Sequence, residues 1–339
     1  MQHAERELTD PVLLCDTKGL LNPEAIGFAA QPIIQSNLRG QFPHKKKWNT
    51  WTMYGEEVLF TATVAHFDIG AVCLVYFLDY ETERFFEKRI ALPFARYVKM
   101  PEDVLANLKF EDSRLSLHVV QEDRKTHLYV SIADFDNETL HADFLITHPE
   151  EDDSINVVIP KNRHVFQFTA KHHILPTSGF LQIGRKRYEF NPDYSFTVYN
   201  YTRGVWPRST EWQWAMASQR SGGRRIGLNF GGCWTDGTGM TENAVIVDGV
   251  MTKIHEDVLF SFNPERMRER WTIHTKFTDC VDLTFTPFFE RDAAARRRGV
   301  KADFTQVFGY FNGTVRLDSG ERLLVRRLLG SCEAFTAKW

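Results

Sequence analysis

The chain has 339 residues, 43% hydrophobic and 25% charged, and its 41 basic and 44 acidic side chains leave a net charge of -3. That length exceeds a typical single domain of ~100–200 residues, and the charge balance excludes the electrostatic footprint of a nucleic-acid binder. Cys15, Cys73, Cys233, Cys280 and Cys332 are odd in number and hold no Cys-x-x-Cys spacing, which favours reduced thiols over a disulfide framework. The opening MQHAERELTD is polar, and no apolar run approaches the ~18 residues of a membrane helix. A cytoplasmic protein without a transmembrane segment is the expectation.

Residues 1–47 read as an irregular lead-in. Asn22-Pro23-Glu24 has the residues of a helix start, and Gly27 and Pro32 keep that helix short. His44-Lys45-Lys46-Lys47 is a basic cluster best explained as solvated surface. From Trp48 strand signals dominate. Val58–Phe67, Ala71–Tyr80 and Arg84–Leu92 are rich in β-branched and aromatic residues, with Asp68-Ile69-Gly70 as a hairpin turn. Pro101-Glu102-Asp103 predicts a short helix to about Leu108. Arg114–Gln121, His127–Phe135 and Thr139–Thr147 follow at regular spacing, separated by charged turns. The acidic loop His148–Ser154 precedes Val165–Lys171, Phe180–Ile183 and Arg187–Phe190. Asn191-Pro192-Asp193 is a turn and a boundary zone.

Beyond it the predicted strands are Glu211–Ser218, Arg225–Phe230, Asn243–Val247, Val258–Phe262, Val281–Phe289, Phe304–Arg316 and Glu321–Lys338. Asp248-Gly249 is a two-residue hairpin signal, and Asp318-Ser319-Gly320 reads as a turn. Arg291–Lys301, with Arg296-Arg297-Arg298, reads as a charged loop. Almost no helices lie between the strands, which excludes a βαβ fold and points to a sandwich or barrel. Most of the predicted strands carry charges, and the apolar outer band of a porin-like barrel is not evident.

Two stretches concentrate side chains that could carry chemistry. In Arg203–Trp214 the strand period puts Trp212, Trp214 and Met216 on one face and Glu211, Gln213 and Ala215 on the other. Such a pair is commonly core packing. Three tryptophans within nine residues, Trp206 included, would also make a wall for an apolar or π-rich ligand. The Gly-rich run Gly227–Asn243 lacks the Lys-Ser or Lys-Thr and the following helix of a phosphate cradle. It is either a bulged hairpin or the mouth of a pocket with Trp234, Asp236, Glu242 and Asn243. Asp236 and Glu242 are the candidate acid/base pair.

Other candidates carry less. His66 and Asp68 could pair for proton transfer, although Asp68 fits a turn. His172 and His173 point to opposite strand faces and show no third ligand at metal spacing. Cys233 has no basic partner beside it. No Gly-x-Ser-x-Gly elbow is present. Trp48-Asn49-Thr50-Trp51 sends Trp48 and Thr50 to one face and Trp51 to the other.

Several stretches resemble an uncharacterised bacterial family, the domain-of-unknown-function family 2804. They are Gly19-Leu20-Leu21-Asn22-Pro23-Glu24-Ala25, Trp48–Trp51, Arg203-Gly204-Val205-Trp206-Pro207, Trp212-Gln213-Trp214, Trp234-Thr235-Asp236-Gly237-Thr238-Gly239, Glu242-Asn243-Ala244, Asp282-Leu283-Thr284-Phe285-Thr286-Pro287 and Glu333–Trp339. That family in turn is similar, more distantly, to two-domain calycin-like proteins such as carotenoid hydratases, pericyclase-type cyclases and tocopherol cyclase. The resemblance implies two lipocalin-like barrels and a terpenoid or other apolar ligand. In those relatives an Asp-containing strand leads into a Gly-Trp segment. Here Asn200-Tyr201-Thr202 stands before Arg203-Gly204 instead.

The combined expectation is an all-β chain with two lipocalin-like (calycin-like) antiparallel β-barrel domains. The lead-in is 1–47, the first barrel 48–195 and the second 196–339. A pocket near the junction is expected to use Trp206, Trp212, Trp214, Trp234 and Asn243 for binding, and Asp236 or Glu242 if it has acid/base chemistry. The partner is an apolar small molecule, with no cofactor, metal or nucleic acid, and the oligomeric state stays open. Three functions fit: an apolar-ligand binder, a cofactor-free isomerase, hydratase or cyclase, or a structural module whose tryptophans are core.

Overall fold

The structure is a computed structural model that describes residues 4–93, 95, 98–297 and 300–338. Arg298 of the basic run and the terminal Trp339 lie outside the described residues. Two large antiparallel sheets curl into barrel-like shapes. In the first, the strand order is Phe85–Pro93, Gly70–Asp79, Val58–His66, Lys45–Tyr54, Phe196–Val205, Phe166–Ile183, Glu138–Thr147, Lys125–Phe135, Leu115–Glu122 and Leu108–Asp112. Its curl brings one edge strand back towards the opposite half: Phe86 packs 6.3 Å from Phe135, and Lys88 pairs with Asp134 at 3.0 Å. In the second, the order is Val250–Lys253, Ala244–Val247, Arg224–Gly232, Ser209–Ser221, Arg322–Lys338, Val300–Arg316, Val281–Arg297, Trp271–Thr275 and Val258–Ser261.

Strand alternation decides what faces each core. On Lys45–Tyr54, Trp51 and Met53 enter the first core, and Trp51 stacks on Tyr199 at 5.1 Å. Trp48, Thr50 and Thr52 therefore face outward. On Ser209–Ser221, Ala215 and Ala217 enter the second core, so Trp212, Trp214 and Met216 also face outward. Trp48, Trp212 and Trp214 thus lie between the barrels, not inside one. The lead-in contributes to packing as well: Leu8, Leu14, Leu21, Ile34 and Leu38 join the first core. The short 3₁₀ turn Pro23–Ala25 is capped as its sequence predicts, with the Asn22 side chain accepting from Glu24 N.

Several boundaries differ from the sequence expectation. Phe196–Val205 is a central strand of the first sheet, paired with Lys45–Tyr54 and Phe166–Ile183. The sheet changes after Val205, not at 195. All ten of its residues are buried, and a strand covered on both faces loses the period-two signal. Val165–Lys171 and Phe180–Ile183 are one bent strand, with a register shift between His172 and Leu175. Ile155–Pro160 and Trp271–Thr275 are additional strands. The presumed loop over 291–301 is mostly the extension of two paired strands.

No helix forms at 101–108. Barrel side chains take the carbonyls that a helix would use. Arg203 donates to Pro101 O at 3.0 Å, Tyr201 Oη to Glu102 O at 2.6 Å, and Tyr199 Oη to Val104 O at 2.7 Å. Once those acceptors are satisfied from outside, the segment gains nothing by closing helical turns.

Candidate functional site

Between the outward faces of the two sheets lies a cavity of about 250 Å³. Register aligns its walls. Across the second sheet, Trp214, Glu333, Gln306 and Arg291 form one cross-strand row, and Trp212, Phe335 and Phe304 form the next. Across the first sheet, Lys171, Asn200, Thr50 and Thr63 form the facing row. The aromatic wall is continuous. Trp206 stacks on Trp234 at 4.5 Å, Trp212 on Phe335 at 3.8 Å, and Trp48 lies 5.1 Å from Trp206 and 6.0 Å from Trp212.

Four ionisable groups meet this wall. Lys171 Nζ lies 3.1 Å from Glu242 Oε2 and 3.6 Å from the centre of the Trp214 ring. Burial pulls the Lys171 ammonium below its ordinary range, against the pull of Glu242. Glu333 Oε1 accepts the Trp212 indole N–H at 2.9 Å. Burial pushes the Glu333 carboxyl up to about 7, although the Trp212 bond, Lys171 and Arg291 oppose it. A desolvated carboxyl holds its proton because the charged form loses hydration. At the far end Arg291 pairs with Glu87 at 2.8 Å.

The cavity collects five of the seven residues singled out from sequence: Trp206, Trp212, Trp214, Trp234 and Glu242. The other two fall elsewhere. Asp236 is exposed on the Gly-rich turn and is not part of the lining. Asn243 is fully buried and ties the turn together, accepting from Gly231 N at 2.8 Å and donating to Glu256 O at 2.9 Å. Asp236 and Glu242 are thus not an acid/base pair within one pocket. His66 and Asp68 are a turn, with Asp68 paired to Lys45 at 3.0 Å. Glu333 and Lys171 were missed. Glu333 shares a strand face with Ser331 and Phe335, so its outward face was legible, but its pairing with Trp214, 119 positions away, was not.

The structure also explains one glycine. A Cβ at Gly231 would lie 2.2 Å from Glu242 Oε1 and 2.7 Å from its Cγ. The Gly-rich run makes room for a carboxylate side chain, not for a phosphate. Gly231→Ala is expected to push Glu242 off Lys171 and to cost ~1–3 kcal/mol through overpacking. Urea denaturation measures the cost, and an unchanged midpoint would refute the fit.

The lead-in supports the same segment from behind. Glu5 Oε1 accepts the Thr241 N–H at 2.6 Å, next to Glu242, and Glu5 Oε2 lies 2.5 Å from Lys253 Nζ. Burial pushes the Glu5 carboxyl up, but His255, Lys253 and the Thr241 N–H outweigh it and hold it below its ordinary value. Glu5→Ala strands a buried ammonium. It should cost ~3 kcal/mol, read as a lower urea midpoint, whereas a surface pair would cost under ~1 kcal/mol.

Two curled antiparallel sheets with a cavity between their outward faces define a two-domain calycin-like protein. The chain belongs to the family described as Domain of unknown function (DUF2804), whose profile matches residues 5–339. Among solved structures it is similar to a protein assigned as AttH from Nitrosomonas europaea, with 11% identity over 87% of this chain and 93% of that one, and a TM-score of 0.50. Kievitone hydratase from Nectria haematococca is similar at 10% identity over 87% and 88%, also with a TM-score of 0.50. At such identities the likeness is one of fold. No curated protein matches the sequence.

Proposed function

We propose that this protein binds a neutral small molecule between its barrels and acts on it by general acid catalysis, as a cofactor-free hydratase, isomerase or cyclase. The observation that carries this reading is Glu333, a buried carboxyl held protonated near neutrality against an aromatic wall. A pure binder needs the wall but not the acid, and burying an acid without use is costly. Glu333 Oε–H would give its proton to an alkene carbon or to a leaving hydroxyl of the ligand. The tryptophan faces would stabilise the cation that develops. Attack of water on that cation with return of its proton to the Glu333 carboxylate, or loss of a ligand proton to the same carboxylate, would then complete the turnover and restore the acid. A pKa near the working pH suits that exchange.

The likeness in fold to kievitone hydratase is compatible with water addition but does not carry it. The test begins with native mass spectrometry of the purified protein to recover a bound molecule. That molecule is then incubated with the protein in heavy water. Deuterium uptake or a change of mass by water should occur with the wild type and vanish with Glu333→Gln, while binding persists. Equal conversion by the variant would remove Glu333 from the chemistry. Binding with no conversion by either protein would leave a carrier.

A further inference from the structure

The first-barrel wall of the cavity carries hydroxyls where a dry interface would carry methyls. Thr50, Thr52, Thr61, Thr63 and Thr202 all line it. Valine has nearly the same shape and would pack two sheets without burying a polar atom. Thr50 Oγ1 and Thr63 Oγ1 face each other at 2.9 Å. Such a pair holds two O–H donors and uses one, so one donor remains. Gln167, 6% exposed and on the same wall, buries an Oε1 that has no hydrogen-bond partner. Buried polar groups without partners are rare and ask for an explanation, and a ligand that meets them supplies one.

The charges narrow the ligand further. Both cations of the lining are already engaged, Lys171 with Glu242 and Arg291 with Glu87. A carboxylate headgroup would find no unpaired cation among them and would meet Glu242 and Glu333 instead. We infer that the ligand is a neutral, flat, ring-bearing molecule with hydroxyl or carbonyl oxygens, and neither a plain hydrocarbon nor a fatty acid. Its rings rest on Trp48, Trp206 and Trp212, one of its oxygens accepts from the Thr50–Thr63 pair, and a hydroxyl of the ligand donates to Gln167 Oε1. The inference rests on the proposal that this cavity is the ligand site.

Two probes of one shape test it: a dihydroxynaphthalene and the dimethylnaphthalene of the same substitution pattern, titrated by quenching of tryptophan fluorescence. The wild type should bind the diol about tenfold more tightly, the return on one or two well-made hydrogen bonds. The Thr50→Val/Thr63→Val variant should lose that preference and keep its affinity for the dimethyl compound. Should that variant not fold, the wild-type ratio alone decides. Equal or weaker binding of the diol by the wild type overturns the inference while leaving an apolar ligand site standing. A preference that survives in the folded variant takes the threonine pair out of it. Failure of both probes to bind overturns the inference together with the site beneath it.

Discussion

Glu333→Gln should stabilise the protein by up to ~3 kcal/mol at about pH 8, do almost nothing at about pH 4.5, and abolish turnover at both. Glutamine keeps an oxygen for the Trp212 indole and removes the titration. In the native protein burial raises the carboxyl to about 7 from its ordinary value near 4.5. Between those values the folded state holds a proton that the unfolded state has lost, so stability falls as pH rises. The stabilising contribution is fully present below the unfolded value and is gone above the folded one. Three buried histidines tilt the profile the other way. Burial lowers His148 and His173 to about 4 and pulls His172 well below its ordinary range, so acid unfolds the protein by charging them. Those terms are common to both proteins and cancel in the difference. Urea melts of variant and wild type at the two pH values are the measurement. A pH-independent difference would mean that Glu333 does not titrate in this window, and the proton donor would have to be sought elsewhere.

The fold was largely legible because runs of β-branched and aromatic residues bounded by turn residues mark most strands. Val58–His66, Gly70–Asp79 and Lys125–Phe135 fall within two residues of the spans their composition and flanking turns predict. Asp136-Asn137 and Asp248-Gly249 have the positive φ that their turn chemistry demands. Phe196–Val205 escaped because the Asn191-Pro192-Asp193 turn before it reads as a boundary and its two covered faces show no period of two, and with it went the boundary between the barrels. The site was half legible for a related reason. Trp206, Trp212, Trp214 and Glu242 lie within one stretch of sequence, and their types declare an aromatic or polar role. Lys171 and Glu333 reach the same cavity from strands 71 and 91 positions from Glu242. Only the pairing of the closing strand into the middle of the second sheet brings Glu333 there. Asp236 misled because an acid in a Gly-rich turn looks the same in sequence whether the turn opens into a pocket or into solvent.

Lys171→Met should be among the most destabilising single changes in the chain, at ~3–5 kcal/mol. It removes the counter-ion of Glu242, whose side chain is only 10% exposed, and takes the cation off Trp214. The cost comes mainly from the stranded carboxylate, so a second change should undo it. Glu242→Met added to Lys171→Met fills the same unbranched path beside Gly231, and the pair so replaced should return to within ~1 kcal/mol of wild type. A double-mutant cycle in urea reads that coupling, and simple addition of two losses would show that the pair is not a unit. The same cycle separates structure from chemistry. Lys171 draws the Glu333 pKa down and Glu242 draws it up. Where Lys171→Met leaves Glu242 charged, the pH at which activity is lost on the alkaline side should therefore rise. Where both charges go, the two shifts oppose and the limb should move less. A limb that stays fixed in both variants would mean that the reacting acid does not sense the pair and is not Glu333, which both charges act on.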